Sequence, residues 1–492
     1  MREAHPREVA VGMAHYVSET DGTGGHLRAS PDDFRVVELE GIEPEPVDAD
    51  PGAYPTLVVR ATLTGWDTND LARRLANELE ISRERVSWAG TKDKRAVTTQ
   101  LLGIDGVDPA ALPAIDRADL DVVGRFGRRL HFGDLWGNAF DIAIADADAP
   151  ERLPAILAEL AAFAGDEAGT GEHRAPVTED GDRDGDGSPS DRSAQECTVR
   201  VGVPNLFGQQ RFGSRRPITH AVGLELLRGD WEGAAMTYIA EAHEAEPEAT
   251  RAAREFAAET REWSSALERF PGGLRYERAM LHVLEGSGPD PTEERWRAAL
   301  DALPRSLQQL FVHAAQSYAF NRILSARLER GLPFDRPVAG DVVCFADREG
   351  PPALPASHPA RSILSERQQE GLETPDPDRT QRVTASRVGP ITRHCERGRA
   401  FVTAPLVGTE TELGAGEPGE IERSVLADLE LEPADFDLPE PYGSTGTRRA
   451  ILVRPVVRAR TDPPRLAFAL PSGAYATTLL REVLKVDPTA LG

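Results

Sequence analysis

The chain has 492 residues and a formal charge of −25, from 81 acidic against 56 basic side chains, which points to two or three domains under a solvated acidic surface of the halophile type. Three widely spaced cysteines, Cys197, Cys344 and Cys395, form no Cys-x-x-Cys pair and fit neither a disulfide framework nor a zinc site. No signal-like apolar segment follows Met1 and no apolar run reaches the roughly 18 residues of a membrane span, so a reduced, soluble, cytoplasmic protein is expected, with any nucleic-acid contact confined to local basic windows.

In chain order, Leu57–Leu63 reads as a strand, and Asp67 caps a helix carrying Leu71, Leu75 and Leu79 on one stripe. Val97, Thr99 and Leu101 alternate as a strand does, as do Phe140, Ile142 and Ile144, and a helix follows Pro150 with Leu153, Ile156, Leu157, Leu160 and Phe163 inward. Residues 166–196 then lose all periodicity and hold ten acids. Their string Asp180-Gly181-Asp182-Arg183-Asp184-Gly185, with Asp191 at the twelfth position, resembles a calcium loop without its terminal Glu. Gly and Pro surround it where an EF-hand needs helices, so the segment is expected to be a disordered, solvated insertion. From about 217 to 330 the pattern is helical, with Leu307, Leu310, Phe311, Ala314 and Tyr318 on one face and a stop at Gly331. Short strands return at Val342–Phe345 and Phe401–Thr403, with 346–380 expected as loop, and the order ends with a strand at Leu466–Leu470 and a helix from Ala474 to Lys485. A strand–helix start, a helical middle and a strand–helix finish suggest one domain interrupted by another.

Only three basic residues are lysines, Lys92, Lys94 and Lys485, leaving 53 arginines (56 − 3). Two of the three flank Asp93, on the expected loop between the capped helix and the Val97 strand, where a rigid scaffold commonly presents chemistry. Neighbouring cations favour the charged form of a carboxylate, which suits a nucleophile or electrostatic anchor better than a general acid; the alternative is a surface ion cluster. Two acid-free windows also stand out: Arg200, Arg211, Arg215 and Arg216 lie between Glu196 and Glu225, and Arg448, Arg449, Arg454, Arg458 and Arg460 between Glu440 and Asp462. In so acidic a chain they read as phosphate contacts, although Ile451, Leu452 and Val453 also read as buried strand. Arg125, Arg128, Arg129 and His131 form a weaker third patch. Asn205-Leu206-Phe207-Gly208-Gln209-Gln210-Arg211-Phe212-Gly213 suits a turn that offers an aromatic face and amide edges to an extruded base, with a core-and-turn segment as the alternative. Gly90-Thr91-Lys92 lacks the order of a P-loop, and His220, His394 and Cys395 lack metal-ligand spacing, so no metal site is expected.

Taken together, five strings in order resemble the tRNA pseudouridine synthase D (TruD) family: Arg28–Val36, Gly90–Gln100, Gly137–Phe140, Val203–Gly208 and Leu470–Thr477. Leu206 departs from the aromatic that the family usually carries, and the acidic insertion is a second departure. The resemblance implies an α+β fold: a pseudouridine synthase catalytic domain with a mixed sheet, built from 1–230 and 451–492, interrupted by an inserted α+β domain at 231–450. It implies cofactor-free isomerisation of uridine to pseudouridine in tRNA, typically position 13 of the D-arm, with no protein partner. Asp93 is the implied catalytic carboxylate, Phe207 the residue stacking on the target base, and Phe34 and Asn205 the pocket lining. Arg28 is the candidate partner of Asp93, and Lys92, Lys94, Arg211, Arg215 and Arg448 are candidate RNA contacts. A non-catalytic tRNA-binding protein accounts for the arginines but not for the bracketed aspartate, and a glycoside hydrolase needs a second placed carboxylate.

Overall fold

The computed structural model describes residues 1–165 and 196–491, apart from Ser214, Glu349 and Pro352; the acidic stretch and its calcium-like string lie outside the described residues. The dominant element is a nine-stranded mixed sheet. Across it run Ala118–Phe126, Thr56–Thr64, Val97–Asp105, Phe34–Glu40, Leu135–Ala143, Pro464–Pro471, Val456–Thr461 and Glu196–Arg200, with Val86–Trp88 also paired to the Val97 strand. The Phe34 and Val97 strands run parallel, whereas the Leu135 strand is antiparallel to both its neighbours. Strands from the C-terminal part of the sequence therefore lie in the middle of the sheet.

The alternation of these strands sorts the side chains into two layers. Phe34, Val36, Phe140, Ile142, Leu466 and Phe468 bury against the helices Leu153–Phe163 and Ala476–Leu484, while Val37, Leu39, Ala139, Ala467 and Ala469 pack on Ala360, Ile363 and Leu364. Asp67 caps Thr68–Glu78 by accepting from the amides of Asn69 and Asp70, and Leu71 and Leu75 are fully buried under it, each worth about 1.5–3 kcal/mol of burial.

Seven helices follow between Thr219 and Glu329, and a second, antiparallel sheet runs Pro375–Arg382, Val342–Ala346, Ala400–Leu406, Thr447–Ala450. The long helix Arg305–Glu329 packs on Thr219–Leu227, on Gly416–Asp428 and on the Ala400 strand. The expected boundary at 230/231 thus runs inside this helical layer, because Val222 and Leu226 share one core with Phe311 and Ala315. The change at 450/451 falls between the last strand of the second sheet and Leu452–Val453, which pairs with Val203–Pro204. The stretch 346–380, expected as loop, instead contains the short helix Glu366–Glu370 and the strand Pro375–Arg382. That strand lies at the edge of its sheet, where prolines and exposed charges are tolerated, so no alternation of apolar residues announced it.

Candidate active site

Asp93 lies on the connection between Val86–Trp88 and Val97–Asp105. Trp88 is opposite Leu102, so residues 89–96 must cross the face of the sheet to reach the start of the next strand at Val97. Three interactions fix that path. The Lys92 ammonium donates to Glu38 Oε2 at 2.6 Å, with 6% and 1% of the two side chains exposed. The Lys92 amide donates to Thr68 Oγ1 at 3.0 Å, and that hydroxyl donates to Gln100 Oε1 at 3.1 Å. Ala96 is buried in the core that holds Phe34. Burial pushes the Glu38 carboxyl up, opposed by Lys92.

Between these anchors Asp93 is half-exposed. Its Oδ1 accepts the Arg95 amide at 2.9 Å, a local turn typical of aspartate, and its Oδ2 meets Arg28 Nη2 at 2.7 Å. The Arg28 side chain is only 6% exposed, against 32% for Asp93, so the carboxylate is the solvent-facing member of the pair. The Arg28 guanidinium lies 3.8 Å above the Phe34 ring and donates through Nη1 to the Leu491 carbonyl. Burial lowers the Arg28 pKa and the Asp93 charge opposes that shift. Arg28 has φ of 61°, a left-handed conformation uncommon outside glycine that costs on the order of 1–3 kcal/mol and persists only where its surroundings enforce it. Arg28, Phe34 and Asp93 thus form one unit.

Buried polar atoms lie on the same face of the sheet. Asn138 is opposite both Glu38 and Leu470 in register, and Thr98 is opposite Val36. Asn138 Oδ1, Thr98 Oγ1 and Gln100 Nε2 have no hydrogen-bond partner among the described residues. Such groups are costly to leave unmade and are suited to a polar ligand edge. Asn138 had no role in the sequence reading, yet the signal is present: stepping back by two from Ile142 and Phe140 puts an amide on the inward face.

Asn205 and Phe207 form a second cluster. Asn205 Nδ2 donates to the Ala450 carbonyl at 2.8 Å, while Arg449 donates to Asn205 Oδ1 at 2.5 Å and to its carbonyl at 3.1 Å. The Arg449 guanidinium lies 4.3 Å from the centre of the Phe207 ring, which Phe320 and Tyr475 meet edge-on at 5.5 and 5.9 Å. Phe207 is buried, so instead of offering a free face for stacking it sets the wall on which Tyr475 sits; neighbouring Leu206 is buried as well. Burial holds the Arg449 pKa down at about 10. Tyr475 opens the helix whose Ala476 joins the core of Phe34 and Phe140, which links this cluster to the Asp93 side of the sheet.

The basic candidates divide by burial. Lys94 is exposed, 3.8 Å from Asp70, and Arg215 is exposed. Arg211 is half-buried and donates to Ser317 Oγ at 3.2 Å. Two expected phosphate contacts are corrected: Lys92 is enclosed with Glu38, and Arg448 is tied to Glu422, Thr403 and the Glu412 carbonyl. Among the described residues no helix is long and apolar enough to cross a membrane.

The family model for tRNA pseudouridine synthase D (TruD) matches residues 10–483. A probable tRNA pseudouridine synthase D of Halobacterium salinarum is 55% identical over all of both chains, and one of Methanosarcina acetivorans is 38% identical over 98% of this chain and 97% of that one. The crystal structure of a putative tRNA pseudouridine synthase D from Methanosarcina mazei superposes with a TM-score of 0.76 at 35% identity, covering 99% of this chain and 100% of that one. With motifs, sheet and length all in agreement, this chain belongs to the tRNA pseudouridine synthase D family, and it is an isomerase that modifies tRNA.

Proposed function

We propose that the enzyme isomerises uridine 13 in the D-arm of tRNA, with the Asp93 carboxylate acting on a uridine extruded from the RNA. In this reaction the N1–C1′ bond breaks, the uracil turns over, C5 bonds to C1′, and the C5 proton leaves as N1 gains one. Breaking the glycosidic bond develops positive character at C1′, which an ionised carboxylate stabilises or traps. The observation that carries the reading is the half-exposed Asp93 carboxylate held by the buried Arg28 guanidinium on a loop pinned from both sides. Arg28 fixes the orientation of Asp93, Phe34 lies beneath Arg28, and the uracil edge meets the unpartnered amides of Asn138 and Gln100. Asn205 and Phe207 support the opposite wall at Tyr475, and Lys94, Arg211 and Arg215 serve the RNA backbone.

Asp93→Asn keeps the shape of the side chain and removes its charge. Release of tritium from C5 of labelled uridine in tRNA should fall by about a hundredfold or more, while tRNA binding persists. Near-normal release by the folded variant would remove Asp93 from the mechanism; mapping of pseudouridine in the treated tRNA decides the position.

A further inference from the structure

Among the exposed large apolar side chains of the described residues, Phe132 stands apart at 77% exposure. It lies on the turn between the strands Ala118–Phe126 and Leu135–Ala143. The exposed Arg128, Arg129 and His131 adjoin it. The turn is firmly held. Leu130 is buried with Val58 and Leu101, and its amide donates to Ser87 Oγ at 3.1 Å. Asp134 accepts from Arg128 at 2.6 and 3.0 Å and from the His131 amide at 2.7 Å. Gly133, at φ of 101°, donates its amide to the Ala89 carbonyl at 2.8 Å. Ala89 begins the loop that carries Asp93 four residues later, so Phe132 lies within ~20 Å of chain from the carboxylate.

A rigid aromatic held in water loses little conformational freedom when something covers it. Its neighbours choose the occupant. Arg128 and Arg129 are paired with Asp134 and Asp105, yet 45% and 47% of their side chains stay exposed; with His131 they set hydrogen-bond donors beside an aromatic in a chain of charge −25, which favours a polyanion with flat apolar faces over an acidic protein surface. We propose that Phe132 is a stacking platform for an unpaired nucleobase of the RNA substrate close to the target uridine, with Arg128, Arg129 and His131 facing the adjoining backbone. The inference rests on the reading of Asp93 as the reacting carboxylate.

The test measures tritium release and tRNA binding for the full chain with Phe132→Ala, Phe132→Leu and Phe132→Tyr. Loss of one stacked base raises KM and Kd roughly 5- to 150-fold. The alanine and leucine variants should both show that rise, with kcat within about twofold and thermal unfolding unchanged, and tyrosine should restore the affinity. The salt dependence of binding should keep its slope, because no charge is lost. Unchanged Kd in Phe132→Ala, or full rescue by leucine, overturns the proposal. So does self-association of the wild type that Phe132→Ala abolishes, since a second copy would then be the occupant. Asp93→Asn is run in parallel: normal turnover by that variant counts against the catalytic reading alone, because Kd judges the stacking independently.

Discussion

At the scale of single residues, the lysine that the sequence singles out is an internal strut. Lys92 reaches Glu38 across 54 positions of sequence, in a space where a Cβ on Gly90 would already lie 3.3 Å from its Nζ. A compact ammonium fits there; a branched guanidinium has no room. Removing one partner strands a buried charge, so Lys92→Met should cost about 3–5 kcal/mol of stability, and adding Glu38→Gln should recover part of it. Denaturant midpoints test this, and a loss under 1 kcal/mol would show that Lys92 is not the anchor. Glu38 was harder to see because it is one of 81 acids, although its spacing from Phe34 and Val36 places it inward. His220 gives a second effect at this scale. Its ring is packed between Phe212 and Tyr318, and burial lowers its pKa to about 4. The unfolded chain takes up that proton near 6.5. Between these values the unfolded state binds more protons, so stability is complete above pH 6.5 and declines as the pH falls towards 4, by about 3 kcal/mol in all. Urea midpoints at pH 4.5 and 7 should differ by less in His220→Phe than in the wild type.

At the scale of elements, strands and helices with strong apolar periodicity were legible, and arginines on strands were not. The windows at 196–225 and 440–462 share their lack of acids, and only Ile451, Leu452 and Val453 marked part of the second as buried strand. In the structure Arg448 and Arg449 occupy the edge strand Thr447–Ala450 and both turn to internal acceptors, whereas Arg215 stays exposed. The period of two could have warned of this, since two adjacent arginines on a strand face opposite ways. Arg215→Ala should therefore lower the steepness of the salt dependence of tRNA binding by about one unit without altering stability. Arg448→Ala should instead lower stability by about 3–5 kcal/mol, because it leaves the buried Glu422 unpaired. Equal salt slopes for Arg215→Ala and the wild type would place Arg215 outside the RNA path. Phe207 was similarly readable as an aromatic of importance, and its burial fits the core-and-turn alternative, but its neighbours were not legible, since Phe320, Arg449 and Tyr475 come from three distant parts of the sequence.

At the scale of the whole molecule, the mixed sheet assembled from both parts of the sequence was legible from the order of the motifs, while the start of the inserted body was not. The helix Thr219–Leu227 carries no mark of which core it joins. The point where the acidic stretch leaves and rejoins is also informative. Ala164 and Gly202 are in close contact, and the Gly202 amide donates to the Leu160 carbonyl at 2.8 Å, so the chain on either side is held without it. A chain in which 167–194 is replaced by a short Gly-Ser link should fold and turn over within a few-fold of the wild type. Its solubility should respond differently to salt. Loss of turnover in a folded deletion would assign the stretch a part in catalysis.

The placement of Pro464–Pro471 between Leu135–Ala143 and Val456–Thr461 has a consequence for biosynthesis. About 320 residues separate Ala143 from Pro464, and at a ribosomal rate of ~5–20 residues per second the Leu135 strand waits on the order of 16–64 s for its neighbour. During that interval the nascent sheet has an open hydrogen-bonding edge, the kind that templates aggregation. Arg28 waits longer still, since the carbonyl that receives its Nη1 belongs to Leu491. The Arg28 motif is thus completed only when Leu491, 463 positions later, has been added.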